Sequence, residues 1–197
     1  GVVGIPRVLN MYENYPFWFT FFTELGFRVV LSPPSSKLLY ERGMETISSD
    51  TACYPAKMVH GHIKWLVDQG VKWIFYPSIN YEIKEDETAP NHYNCPVVAT
   101  YPEVIGNNMD EIFADNGVTF SHPFLPYDND LNLVKELYSR LKDLGVSYPE
   151  VVKAVKKGRA EDKHFKDDIK KQGANAIRYA KKNKKKCIIL SGRPYHL

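Results

Sequence analysis

The 197-residue chain has little cysteine, and what it has is scattered: three residues, at 53, 95 and 187. An odd, widely spaced set is not the disulfide framework of a secreted domain and suits a reducing, cytoplasmic compartment. No C-x-x-C occurs, which excludes a zinc ribbon and a thioredoxin-type dithiol. There is no G-x-G-x-x-G and no G-x-x-x-x-G-K-[ST], so the dinucleotide fingerprint and the P-loop are both missing. Without a G-x-S-x-G elbow, no serine nucleophile of that kind can be assigned. No apolar run approaches the ~20 residues a membrane helix needs, and no signal peptide is present. The first residue is glycine rather than methionine, and the chain is read as part of a longer protein.

The charge is uneven. Residues 1–149 carry 11 Lys/Arg against 18 Asp/Glu, whereas residues 150–186 carry 14 against 5. A basic segment of this kind can meet phosphate-rich partners, but it more commonly forms the solvated face of a helix. The second reading is adopted, and nucleic acid is not expected as a partner.

The hydrophobic pattern alternates short strands with helices. Val2–Ile5, Phe27–Leu31, Lys72–Tyr76, Pro96–Thr100 and Val118–Ser121 read as strands. Asn10 is the expected N-cap of a helix to Leu25, Ser35 or Ser36 of a short one to Gly43, and the residues after Cys53 begin a third. Alternation at this spacing implies an α/β, Rossmann-like parallel sheet with helices on both faces. Right-handed crossovers then gather Arg7, Ser78–Asn80 and Tyr101 on the carboxyl edge. Residues 78–94 form a long acidic loop. Leu131, Val134, Leu137, Leu141 and Leu144 define an amphipathic helix, and a long basic helix follows Pro149, weakened at Gly158 and Gly173. Cys187–Leu190 reads as a strand with Cys187 buried, and Ser191–Pro194 echoes the turn after the first strand. The expected division is 1–126, an α/β domain carrying Cys53 and Cys95; 127–183, a basic helical segment; and 184–197, the start of a second α/β unit.

Ser48–His62, SSDTACYPAKMVHGH, holds the densest chemistry. Cys53 precedes a helix, where the dipole favours a thiolate, and Lys57 adds positive charge one turn on. Distant cysteines of this kind can ligate iron–sulfur clusters, and equally can be small buried hydrophobes. His60 and His62 are not four apart, so one helix face cannot offer both to a metal. His60, on the side of Lys57 and Lys64, reads as a surface residue. Gly61 between them allows a close approach by another helix or a ligand. Tyr12, Tyr15, Trp18, Tyr76, Tyr81 and Tyr93 are core residues or the walls of a pocket.

Taken together, GIPRVLNMYENYPFWFTFFTELGFRVVLS, the C-x-P-x-K-x-x-x-G-H run from Cys53 to His62, WIFYPSINYE, NCPVVATYPEVI and the terminal SGRPYH resemble a domain of the large 2-hydroxyacyl-CoA dehydratase activase family. That family is related to the activator of 2-hydroxyglutaryl-CoA dehydratase and to reductase subunits of the benzoyl-CoA reductase type. The resemblance implies ATPase modules elsewhere in the full-length protein, which drive low-potential electrons into an iron–sulfur partner in anaerobic metabolism. It also implies a dehydratase or reductase as partner and acyl-CoA as a candidate ligand. Cys53 and Cys95 fall on the positions of cluster ligands, with Arg7, Lys57, His62, Asn80 and Tyr81 in the environment of the cluster or substrate. This chain carries no ATPase signature and only part of a four-thiolate set, so alone it is expected to be inactive and free of cluster. The competing reading is a non-catalytic docking or scaffold domain with structural cysteines.

Overall fold

Val2-Val3-Gly4-Ile5 alternates nothing: all four residues are apolar or glycine, the pattern of a strand covered on both faces. In the computed structural model, which describes residues 1–196, this run is β1 (Val2–Ile5), a central strand of a four-stranded parallel sheet. It pairs along its length with β2 (Arg28–Leu31), from Val2 opposite Arg28 to Ile5 opposite Leu31. On its other side Gly4 lies opposite Ile74 of β3 (Trp73–Phe75), which in turn pairs with β4 (Thr119–Ser121). The order β2-β1-β3-β4 places a topological switch between β1 and β3, because the chain leaves β1 in one direction and returns past it in the other.

The connecting helices follow from that order. α1 (Met11–Glu24) links β1 to β2 on one face. α2 (Lys37–Gly43) and α3 (Tyr54–Asp68) link β2 to β3 across the other. Ser36 caps α2, its hydroxyl accepting from the Leu39 amide. α2 and α3 touch backbone to backbone: a Cβ on Gly61 would overlap the Leu39 carbonyl, and one on Gly43 would overlap the Gly61 amide. Gly61 therefore serves helix packing.

One expected strand is a helix. Residues 96–100 open α4 (Pro96–Asn108), followed by α5 (Asp110–Asp115). Pro96 occupies the first helical turn, where its missing N–H costs nothing. The apolar run Val97–Val98 suits a strand by composition, but Val98, Tyr101 and Ile105 recur at helical spacing and are the side chains buried. Tyr101 therefore lies in a helix, not after a strand.

α6 (Asp130–Leu141) and α7 (Tyr148–Lys182) cover the α1 face and share its hydrophobic core. Trp18, fully buried, packs its ring 4.9 Å from that of Phe75, and Phe17 lies edge-on to Tyr127 at 5.2 Å. α7 is one unbroken helix of 35 residues. Gly158 is where it meets α1: a Cβ there would lie 2.9 Å from the Phe17 carbonyl oxygen. Lys153 pairs with Glu24 and Phe165 packs on Tyr15, so α7 runs antiparallel to α1, towards the carboxyl edge of the sheet. After Lys166 it continues past that edge, nearly all of its side chains exposed. Residues 187–190 pair with no strand among the described residues. Cys187 is exposed, and Ile188, Ile189 and Leu190 are 89%, 86% and 74% exposed. Leu197, the last residue of the expected second unit, lies outside the described residues.

Candidate functional site

Each cysteine of interest is the residue immediately before a helix. Cys53 is the N-cap of α3 and Cys95 the N-cap of α4, both with extended backbone, neither side chain bonded to the helix it precedes. α3 and α4 lead back to the amino ends of β3 and β4, so both helices begin at the carboxyl end of the sheet. The helical reassignment of residues 96–100 is what brings Cys95 there. Both thiols are exposed.

They share a neighbour. Ser191–His196 returns from the far end of α7 to this edge, where the Arg193 guanidinium donates to the Tyr93 carbonyl at 2.9 Å. The Tyr195 phenol is pushed up by partial burial; the Arg193 charge opposes this, and Cys95, Glu13 and Cys53 all add to it. Tyr195 lines a cavity with Tyr54 and Pro55, the first residues after Cys53, and Arg193 in the same segment is bonded to Tyr93, two residues before Cys95. Burial holds Tyr76 fully protonated, with Tyr101 and Tyr195 adding to the effect, and its hydroxyl has no partner. A cavity of about 390 Å³ opens at the first turn of α3, with Leu9, Tyr12, Pro34, Tyr54, Met58 and Tyr195 among its walls.

The two histidines of α3 are both fully buried, which corrects the surface reading of His60. The Thr46 hydroxyl donates to the Gly43 carbonyl at 2.9 Å, so it accepts from His60 Nδ1 at 2.8 Å. His60 Nε2 is then the acceptor for the Tyr101 hydroxyl at 3.1 Å. Burial and the Cys53 sulfur push Tyr101 up to about 12. On the opposite side of α3, the Arg7 amide donates to Ser32 Oγ at 2.7 Å. Ser32 Oγ lies 2.6 Å from His62 Nδ1, and Ser35 Oγ 3.0 Å from Nε2. Every group is satisfied when Ser32 donates to Nδ1 and His62 Nε2–H donates to Ser35. Desolvation lowers His60 to about 4; desolvation and the Arg7 charge lower His62 to about 3. Both imidazoles are neutral and structurally engaged near neutral pH.

The remaining expected residues divide. Arg7 stacks over Tyr12 and Tyr15, its guanidinium carbon 5.4 Å and 4.7 Å from the ring centres, and its buried Nε has no partner. Lys57 is half-buried and forms no ion pair among the described residues. Asn80 is exposed, and its carbonyl accepts from the Asn94 amide at 2.8 Å. Tyr81 packs 4.7 Å from Tyr93 across the long loop. Arg7 and His62 thus form one group, Asn80 and Tyr81 another, and Cys53, Cys95 and Tyr195 a third.

Sequence reasoning missed the polar centre of the switch point. Glu82 accepts from Asn14 Nδ2 at 3.1 and 3.0 Å, from Asn94 Nδ2 at 2.6 Å and from Asn10 Nδ2 at 3.5 Å. Asn10 caps nothing with its side chain. The available signal was the i, i+4 spacing of Asn10 and Asn14, which sets two amides on one helix face.

The fold is an α/β, Rossmann-like one: a four-stranded parallel sheet flanked by helices. The chain belongs to the family described as the CoA enzyme activase uncharacterised domain, whose model matches residues 2–197. No curated protein and no solved structure matches it. That description associates the domain with CoA enzyme activases and so suggests a partner enzyme. No helix among the described residues is long and apolar enough to cross a membrane.

Proposed function

We propose that this domain supplies two thiolate ligands, Cys53 and Cys95, to an iron–sulfur cluster in an activase that passes ATP-driven, low-potential electrons to an acyl-CoA dehydratase or reductase. The observation that carries the reading is the pair of exposed cysteines, each the N-cap of a helix that begins at one sheet edge, with the Arg193–Tyr195 segment bonded beside the second. The donor chemistry fits in part. Thiolates are the ligands such clusters take, and helix N-termini favour their charge. Among the described residues no group of three or more His, Cys, Asp or Glu gathers, so this chain offers half of a four-thiolate set. The other ligands, like the ATPase modules, come from outside these residues.

When bound, the cluster would carry single electrons at low potential. The chain's own part is to hold the two sulfurs, to set Lys57 near Cys53 on the first turn of α3, and to cover the site with Tyr195. The 390 Å³ cavity at the first turn of α3 is the candidate position for an acyl group. Anaerobic isolation of the intact protein tests the reading. Iron and acid-labile sulfide present in the parent and lost in Cys53→Ala and Cys95→Ala support it; unchanged iron content and spectra in both variants refute it.

A docking role is favoured by a separate observation, the exposure of Ile188, Ile189 and Leu190. Three contiguous aliphatic residues in water are the mark of a surface awaiting a partner. A run apolar at every position suits a strand covered on both faces, the first of a further α/β unit. The two readings are compatible, since the residues that follow, Arg193 and Tyr195, lie at the edge that carries the cysteines.

A further inference from the structure

We infer that Glu82 is the positioning residue for Cys95: with Asn10, Asn14 and Asn94 it forms a latch across the β1–β3 switch point that fixes where α4 begins. The inference rests on the reading of Cys95 as a ligand for its purpose, but not for its test.

The long connection from β3 to α4, residues 76–95, has no regular element to hold it. Its middle is tied by a bridge between Tyr81 and Tyr93. Its two ends meet at Asn94, the residue before Cys95. The Asn94 amide nitrogen of the backbone donates to the Asn80 carbonyl at 2.8 Å, and its side chain donates to the Ile79 carbonyl at 3.0 Å and to Glu82 at 2.6 Å. None of these bonds reaches outside the loop. Glu82 is the member that does: its carboxylate takes both bonds of Asn14 and the longer one of Asn10, from the start of α1. The loop is also tied at its start by the bridge of Ser78 to Phe124 and at its tip by Lys166 on Glu85 and Arg193 on the Tyr93 carbonyl; the Glu82 bonds add the tie from the residue before Cys95 to α1, and through it to β1.

The chemistry is specific to a carboxylate. Its two oxygens only accept, and three amide groups around them only donate through Nδ2. Asn10, Asn14 and Asn94 are 2%, 3% and 7% exposed, so water cannot readily replace a missing acceptor. The donors fill the carboxylate, which argues against a metal ion here. α3, which Cys53 precedes, is held by Gly43 against Gly61 and by Thr46 on His60, while the Tyr101–His60 bond ties the body of α4 to α3. The latch acts at the other end of the connection, on the residue before Cys95 where α4 begins.

Glu82→Gln sets an amide N–H against the asparagine donors with little change of size. Hydrogen exchange in the parent and variant, without added iron, reads the outcome. The expected result is exchange at least about tenfold faster at residues 79–82 and 94–97, with 53–57 unchanged, as loss of a half-buried carboxylate acceptor by three buried amides implies. Alkylation of Cys95 relative to Cys53 should change several-fold in the same samples. Should Glu82→Gln fail to fold, Asn14→Ala, which removes two of the four bonds, is read in the same way. Parent-like exchange at 94–97 together with a parent-like alkylation ratio overturns the latch. Absence of iron in the intact protein would refute the ligand reading and leave this result standing.

Discussion

Acidification should destabilise this domain through two neutral histidines. His60 and His62 are fully buried, with pKa values lowered to about 4 and about 3. In the unfolded chain each takes up a proton near pH 6.5. Between that pH and the folded value, the unfolded state binds a proton that the folded state refuses, so stability falls as pH falls. The slope is about 1.4 kcal/mol per pH unit for each group. From pH 7 to 5 the pair should cost roughly 4 kcal/mol, a large share of a stability of typically 5–15 kcal/mol. Below about pH 4 the folded His60 begins to titrate and its share of the slope ends. Glu13, raised by burial and by Glu82, works in the opposite direction, and acts equally in any variant that leaves it in place. Urea unfolding followed by tryptophan fluorescence at pH 7, 6 and 5 measures the effect. A double variant, His60→Gln with His62→Asn, should be less stable at pH 7 and markedly flatter with pH. Parent and double variant losing stability in parallel over pH 6.5 to 5 would refute the reasoning.

Further outcomes concern the contacts around the site. Gly61→Ala drives a Cβ into the Leu39 carbonyl and should cost about 1–3 kcal/mol or more, read as a lower urea midpoint. Gly158→Ala should also destabilise, because Phe17 lies against it. Gly173→Ala, with nothing within 4 Å, should raise stability by up to about 1 kcal/mol; the two changes in one helix thus have opposite signs in the same melt. Tyr101→Phe leaves His60 Nε2 without its donor and should cost about 1–3 kcal/mol. A Tyr101→Phe protein as stable as the parent would show that the His60 bond contributes nothing.

Most of the sheet was legible because its strands are short apolar runs closed by Gly, Pro or Ser: Val2–Ile5, Phe27–Leu31, Lys72–Tyr76 and Val118–Ser121 all hold β-strands within them. Residues 96–100 were misread because β-branched Val97 and Val98 after a loop suit a strand, while Pro96 suits a helix start equally well. Packing against α3, through Tyr101 and His60, decided it. His60 was misjudged because Lys57 and Lys64 suggested a polar face; Thr46 and Tyr101, distant in sequence, make its burial tolerable. Cys187 was expected inside a sheet, but 187–190 finds no neighbouring strand among the described residues. Both cysteines of the site were singled out from their place before Pro55 and Pro96. Glu82 was not, because an acidic loop residue acquires meaning only when Asn10, Asn14 and Asn94 surround it.

Cys53 and Cys95 are proposed to serve one site, and Cys187 to stand apart from it. Differential alkylation of the anaerobically isolated intact protein, read by mass spectrometry at each cysteine, tests this proposal most directly. The account predicts that Cys53 and Cys95 are protected together, become reactive together when a chelator strips the iron, and that Cys187 reacts throughout. Cys53 and Cys95 alkylating as fast as Cys187 before any chelator is added, or becoming reactive independently of one another, would contradict it.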